Sequence, residues 1–331
     1  MSQSATTIDT EGSAAGRLAR ARFATFVQRQ GALLALVGLF IFAVIRYERF
    51  LTEENLVNVL RQNSMLGIIA LGMTFVILTG GIDLSVGSLM AVAGVAAASL
   101  SGRGVLVAVL GAVAITTVLG LINGAVIAKA RIQPFIVTLA MMIAARGLVL
   151  AYTGEKSVPI GKTAEWLRWL GDKNVRPLPL AIVILIGAFA LGWLVLNHTR
   201  FGRHVYALGD NDEAARLMGL NTSRVTIAVY ALSGALAGLA GVLDAAQGSV
   251  GRPVAGQGDE LNAIAAVVVG GTLLTGGQGS VLSTLVGVLL LGLIFNVFNF
   301  EGWISPWWQA VLRGLFLLVV VIVQNRLSSR K

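Results

Sequence analysis

The chain has 331 residues, of which 56% are hydrophobic and only 12% charged, and its formal net charge is +9. A soluble domain carries about 25% charged residues, so the composition excludes an ordinary soluble fold and points to an all-α, polytopic membrane protein. Cysteine is absent, which removes disulfides, thiolate metal sites and a cysteine nucleophile.

Residues 1–30 read as a polar cytosolic tail with Arg17, Arg20, Arg22 and Arg29. No apolar run with a cleavage site comes first, so no cleaved signal peptide is expected. The tail is either solvated or laid on the membrane as a basic helix. Residues 31–325 then read as one transmembrane domain, and 326–331 as a short cytosolic tail. Apolar runs lie near 31–46, 63–80, 86–101, 104–128, 132–153, 178–196, 225–246, 261–275, 281–299 and 308–325. Each approaches or exceeds the ~17–20 residues of a bilayer crossing, which predicts about ten spans. An even number puts both termini on one side. A mild excess of Lys and Arg there, including Lys129, Arg131, Arg200, Arg203, Arg216 and Arg224, makes that side cytosolic. Trp303, Trp307 and Trp308 cluster where an outer interface is expected, and Trp166 and Trp169 fall in the polar 154–178 loop.

Between the second and third runs stands Gly80-Gly81-Ile82-Asp83-Leu84-Ser85-Val86-Gly87-Ser88. A carboxylate is costly in hydrocarbon and must face protein, water or cargo, while glycines let the backbone leave the helix. Leu78-Thr79-Gly80-Gly81 recurs as Leu274-Thr275-Gly276-Gly277, each copy ending a span and followed by a short polar break. Paired broken helices near Gly80-Gly81 and Gly276-Gly277 are an arrangement of transporters built from repeats. Three readings of Asp83 stay open: contact with a polar cargo, pairing with Arg146, or capping of the helix that starts near Leu84, with Ser85 supporting the turn. Asn123, Gln133, Asn262 and Gln278 are further polar candidates to line a pathway, against hydrogen bonding between helices. Arg146 either pairs inside the bundle or snorkels to an interface.

Enzyme chemistry finds little support. The two histidines, His198 and His204, have no metal-site spacing and lie outside the spans. Gly161-Lys162-Thr163 looks like the end of a phosphate-binding loop, but Lys156 stands where that loop needs its first glycine. No catalytic residue, cofactor, metal or nucleic-acid partner is expected, and energy for active transport must come from an ion gradient or from a partner.

The loop 197–224 bears on that choice. Asp210 and Glu213 are spaced as a capping box, Ala214 to Met218 favour helix, and Gly219 is placed to end it. The short helix carries Leu217, Met218 and Leu220 with no core of its own. It is either a linker resting on lipid or on its own bundle, or a knob that docks into a cytosolic partner.

Gly72-Met73-Thr74-Phe75-Val76-Ile77-Leu78-Thr79-Gly80-Gly81-Ile82-Asp83-Leu84-Ser85-Val86-Gly87-Ser88 resembles the signature of permease subunits of ribose/xylose-type monosaccharide ABC importers. Phe201-Gly202-Arg203, Gly209-Asp210-Asn211 and Ala214-Ala215-Arg216-Leu217-Met218-Gly219 resemble that family's cytosolic coupling loop. Asn123-Gly124, Gln133-Pro134-Phe135, Arg146-Gly147 and Gly270-Gly271-Thr272 match as well, so the resemblance covers about residues 50–325. It implies an inner-membrane permease of ten helices with cytosolic termini, working as a homodimer with an ABC ATPase subunit and an extracytoplasmic sugar-binding protein. It implies that Gly209, Asp210, Asn211, Glu213, Ala214, Ala215, Leu217, Met218 and Gly219 couple to the ATPase. Asp83, Ser85, Asn123, Gln133, Arg146, Asn262 and Gln278 are candidates for the translocation pathway by residue type and position, and the resemblance assigns none of them. The alternatives are an ion-coupled carrier, for which only Asp83 and Asp244 supply acids at depth, a channel, and a permease for another small polar solute. A related branch imports branched-chain amino acids; the Gly80–Gly87 run favours sugars.

Overall fold

The computed structural model describes residues 30–161, 179–302 and scattered positions from 305 to 322. The N-terminal tail, Trp166, Trp169, Lys162, Thr163, Trp303 and the 326–331 tail lie outside the described residues, as does much of the tenth expected span.

Helices dominate because a helix satisfies its own backbone hydrogen bonds within the segment, as a chain in hydrocarbon requires. In chain order they are α1 (Gln30–Arg46), α2 (Glu53–Leu78), α3 (Val86–Leu100), α4 (Val105–Ala130), α5 (Pro134–Thr153) and α6 (Leu180–His198). Then follow α7 (Arg200–Asp210), α8 (Asp212–Leu217), α9 (Thr222–Gly248), α10 (Asp259–Val269) and α11 (Val281–Glu301). Among the described residues, seven helices are long and apolar enough to cross a membrane: α2, α3 with its 3-10 end, α4, α5, α6, α9 and α11. A two-residue antiparallel pairing joins β1 (Val158–Pro159) to β2 (Val250–Gly251).

Helix α2 is the axis of the bundle, buried almost continuously from Ser64 to Leu78. Helices α4, α5 and α6 turn apolar side chains such as Leu106, Leu148 and Ile186 outward, as lipid-facing helices do. Helix α4 packs against α9 with Gly120 and Gly124 set directly on the Tyr230 and Ile227 backbone, since small residues let membrane helices approach closely.

Two expectations need correction. The second span does not begin near residue 63: α2 starts at Glu53, where the Thr52 side chain accepts from the Asn55 amide. Amides at 55, 58, 62 and 63 depress hydropathy over its first turns without weakening the helix. The eighth span is only half helical. Helix α10 has 11 residues, about 16 Å at 1.5 Å per residue, too short for a ~30 Å hydrocarbon core. The other half is irregular chain: Gly251 lies against Gly94 and Val95, and Gly256 against Gly87 and Met90. Residues 250–258 thus descend along α3 to its first turn before α10 begins.

Candidate functional site

Both helix breaks meet at one end of the bundle. The Gly277 amide donates to the Leu78 carbonyl at 3.0 Å. Gly80, Gly276 and Gly277 all have positive φ (78°, 88° and 73°), a region closed to most side chains. Sequence repetition here becomes physical contact.

Helix α7 ends against this junction. A side chain at Gly209 would overlap the Leu78 carbonyl and crowd the Gly277 amide, so only glycine permits the approach. The Tyr206 hydroxyl donates to the Gly279 carbonyl at 2.8 Å, and burial raises its phenol above the ordinary range. Helix α8 follows at once. Asp210 is the last residue of α7 rather than the cap of α8, so the expected Asp210–Glu213 capping box does not form. Asn211, extended at φ −159°, is the cap, and its Oδ1 accepts from the Ala214 amide at 2.9 Å. The frame moves by one residue because α7 occupies Asp210. Asp212 and Glu213 fill the first turn, favourable at a helix N-terminus, and Asp212 pairs with Arg216 at 2.8 Å. Gly219 (φ 82°) follows the helix as expected, with its amide donating to the Arg216 carbonyl. Ala215 is fully buried, whereas Leu217 and Met218 are 84% and 76% exposed.

Asp83 lies at the start of α3, fully buried. Its Oδ1 accepts from the Ser85 amide (3.0 Å) and hydroxyl (2.6 Å), and its Oδ2 from the Ser233 hydroxyl (2.8 Å). The Ser85 oxygen accepts from Asn123 Nδ2 at 3.0 Å. Asn123 Oδ1 is buried without a partner among the described residues. Asp83 does not pair with Arg146, which instead donates to the Pro253 and Ala255 carbonyls at 2.7 and 2.8 Å. The reason is helical rise: Thr138, bonded to the Ile82 carbonyl, marks the Asp83 level of α5, and Arg146 lies two turns beyond it. Arg146 thereby satisfies the irregular 250–258 segment, as buried backbone requires.

A third feature lies at the far half of α2. A cavity of about 400 Å³ opens between α2, α10 and α11, lined by Asn55, Asn58, Gln62, Asn63, Asn262, Asn296 and Asn299 together with Asp244 and Asp259. Asn262 donates to Asp259 at 3.1 Å, and Asp244 is held by Arg252 at 2.6 Å. Of the pathway candidates, Asp83, Ser85 and Asn123 converge, Asn262 joins the separate cavity, and Arg146 holds the irregular segment 250–258. Gln133, before the first turn of α5, and Gln278, in the second break, are exposed and meet none of the others. Asn296 reads from the sequence as a lining or capping residue of its span, whereas Asn55, Asn58, Gln62 and Asn63 fall before the second apolar run, in a stretch that reads as a polar loop. Their signal was the 55, 58, 62 spacing, one face of a helix.

A family profile described as branched-chain amino acid transport system / permease component matches residues 55–321. The ribose import permease protein RbsC of Escherichia coli K12 is 43% identical over 305 residues, covering 91% of this chain and 95% of its own. Ribose import permease protein RbsC of Bacillus subtilis 168 is 40% identical, covering 94% and 97%. The fructose import permease protein FrcC of Rhizobium meliloti is 35% identical, covering 88% and 84%. No solved structure matches.

Proposed function

The chain belongs to the permease-component family that includes the ribose import permeases, and from that premise we propose that it is the pore subunit of an ATP-driven monosaccharide importer, ribose-like in its cargo. It works in the bacterial inner membrane with about ten helices per subunit, both termini cytosolic, and residues 31–325 forming one permease domain. Its partners are an ABC ATPase subunit, an extracytoplasmic sugar-binding protein and a second copy of itself. The α7–α8 end faces the cytosol, and the amide cavity lies on the extracytoplasmic half.

One observation carries the reading: a capped helix presenting Leu217 and Met218 outward is joined through Gly209 to both helix breaks. An ATPase seated on that knob moves α7, and α7 cannot move without displacing the Leu78–Gly277 junction. Coupling of this kind biases a two-state element rather than performing chemistry. Gly209, Asp210 and Asn211 form the elbow, Glu213, Ala214 and Ala215 the stiff helix, and Gly219 its stop. On the pathway side, Asp83, Ser85 and Asn123 brace the first break, and Gln278 belongs to the second. Gln133 opens α5 beside the cytosolic mouth. The acids an ion-coupled carrier needs are engaged, Asp83 by hydroxyls and Asp244 by Arg252.

Reconstitution with the ATPase and binding protein in proteoliposomes tests this. Labelled ribose uptake should require ATP and survive uncouplers. The Ala214→Gly/Ala215→Gly double variant should hydrolyse ATP without accumulating sugar. Uptake that follows an ion gradient and ignores ATP would overturn the reading.

A further inference from the structure

We infer that the cavity between α2, α10 and α11 is a weak internal binding site for a neutral polyhydroxylated ligand, occupied by the sugar after it leaves the binding protein. The inference rests on the importer reading and adds a site to it.

Lining chemistry selects the ligand class. Asn55, Asn58, Gln62, Asn63, Asn262 and Asn296 bring carboxamides from three helices to one space. A carboxamide offers two N–H donors and a carbonyl acceptor without charge, and a sugar hydroxyl both donates and accepts. The match needs no ion to be desolvated, which is the large cost of burying charge. An amino acid has the opposite requirement. Its carboxylate wants a cation, and no Lys or Arg lines the cavity among the described residues. Of the acids that could receive its ammonium, Asp244 is ion-paired with Arg252 and Asp259 accepts from Asn262.

Volume and packing agree. About 400 Å³ falls within the ~300–1,000 Å³ typical of small-molecule sites and leaves room for waters around one monosaccharide. Phe295 supplies an apolar wall. The site is also built to be weak. Asn55 and Asn296 bond each other reciprocally at 2.8 and 3.4 Å, and Asn63 Nδ2 donates to the Val59 carbonyl at 2.7 Å. A ligand must displace such bonds or join them through water. Weak binding suits transit, since a conducting site must also release. Gly292 makes the space, because a side chain there would overlap the Asn63 amide.

The absence of native cysteine allows a direct test on the full complex. Gln62 is exposed and lines the cavity, so Gln62→Cys places one thiol per subunit there. Millimolar ribose should slow its reaction with a water-soluble maleimide, and millimolar leucine should not. Asn58→Leu should lower ribose uptake about tenfold, the scale of one hydrogen-bond partner lost, and its thermal unfolding midpoint reads separately the loss of the bond that Arg61 donates to Asn58 Oδ1 at 3.1 Å. Asn58→Gln, which keeps the amide, should restore most uptake and controls for folding. Equal labelling with and without ribose, or protection by leucine equal to that by ribose, overturns the site. Unchanged uptake in Asn58→Leu does the same. If the wild-type complex imports no monosaccharide, the importer reading fails and the site with it; if wild type and Asn58→Leu import alike, only the site fails.

Discussion

The amide of Gly277 donates to the carbonyl of Leu78 at 3.0 Å, joining two glycine turns that stand almost two hundred positions apart. Gly209 sits on that bond with no room for a side chain. The junction is where the α7–α8 elbow and the two broken helices come into contact.

Gly209→Ala should therefore separate the elbow from the breaks. Overpacking of this kind costs roughly 1–3 kcal/mol, so the protein should still fold with a lowered Tm. Transport should fall more than ATP hydrolysis does. The ratio of sugar imported to ATP hydrolysed in proteoliposomes reads this directly, and an unchanged ratio would count against the junction.

Leu217→Ser/Met218→Ser removes apolar surface that has no partner in the subunit. Both residues are mostly exposed, and substitutions at such positions usually alter stability by no more than about 0.5 kcal/mol. The thermal unfolding midpoint should hold while co-purification of the ATPase subunit is lost. Full co-purification would mean that the knob rests on something else.

Asp83 is expected to act through hydrogen bonds rather than charge. In Asp83→Asn the carbonyl oxygen still accepts from Ser85, and Ser233 can turn from donor to acceptor. Folding and uptake should stay close to wild type. Asp83→Leu strands the Ser85 amide and two hydroxyls, at about 1–3 kcal/mol for each buried unsatisfied group, and should lower the yield of monodisperse protein. A well-folded Asp83→Asn protein without uptake would show that the charge itself matters.

Arg146→Leu should destabilise residues 250–258, because the Pro253 and Ala255 carbonyls lose the charged Nη1 that donates to both. Hydrogen bonds to charged groups contribute about 1.5–3 kcal/mol each. Arg146→Lys should recover part of the loss, since an ammonium carries the donors for both carbonyls but sits on a stem of different length and shape from the one that places Nη1 between them. Protease nicking within residues 250–258, compared across the three proteins, provides the measurement.

Features that depend on a few neighbouring residues were legible along the chain. The glycine pairs marked both breaks, Gly219 marked the end of α8, and hydropathy marked most of the spanning helices. Legibility ended where a neighbouring element intruded. Helix α7 took Asp210 and moved the cap of α8 to Asn211. Polar side chains at the start of α2 hid a helix that the bundle needs, together with the cavity it lines.

Composition and local pattern by themselves determined a multi-helix membrane protein with two glycine breaks and a stiff helix between spans. Those properties follow from solvent, backbone freedom and capping within a few residues. Only the tertiary structure decided which polar groups satisfy one another: Asp83 with Ser233, Arg146 with the Pro253 and Ala255 carbonyls, Leu78 with Gly277. In a low-dielectric interior each such group must find a partner, and packing brings that partner from a distant part of the chain.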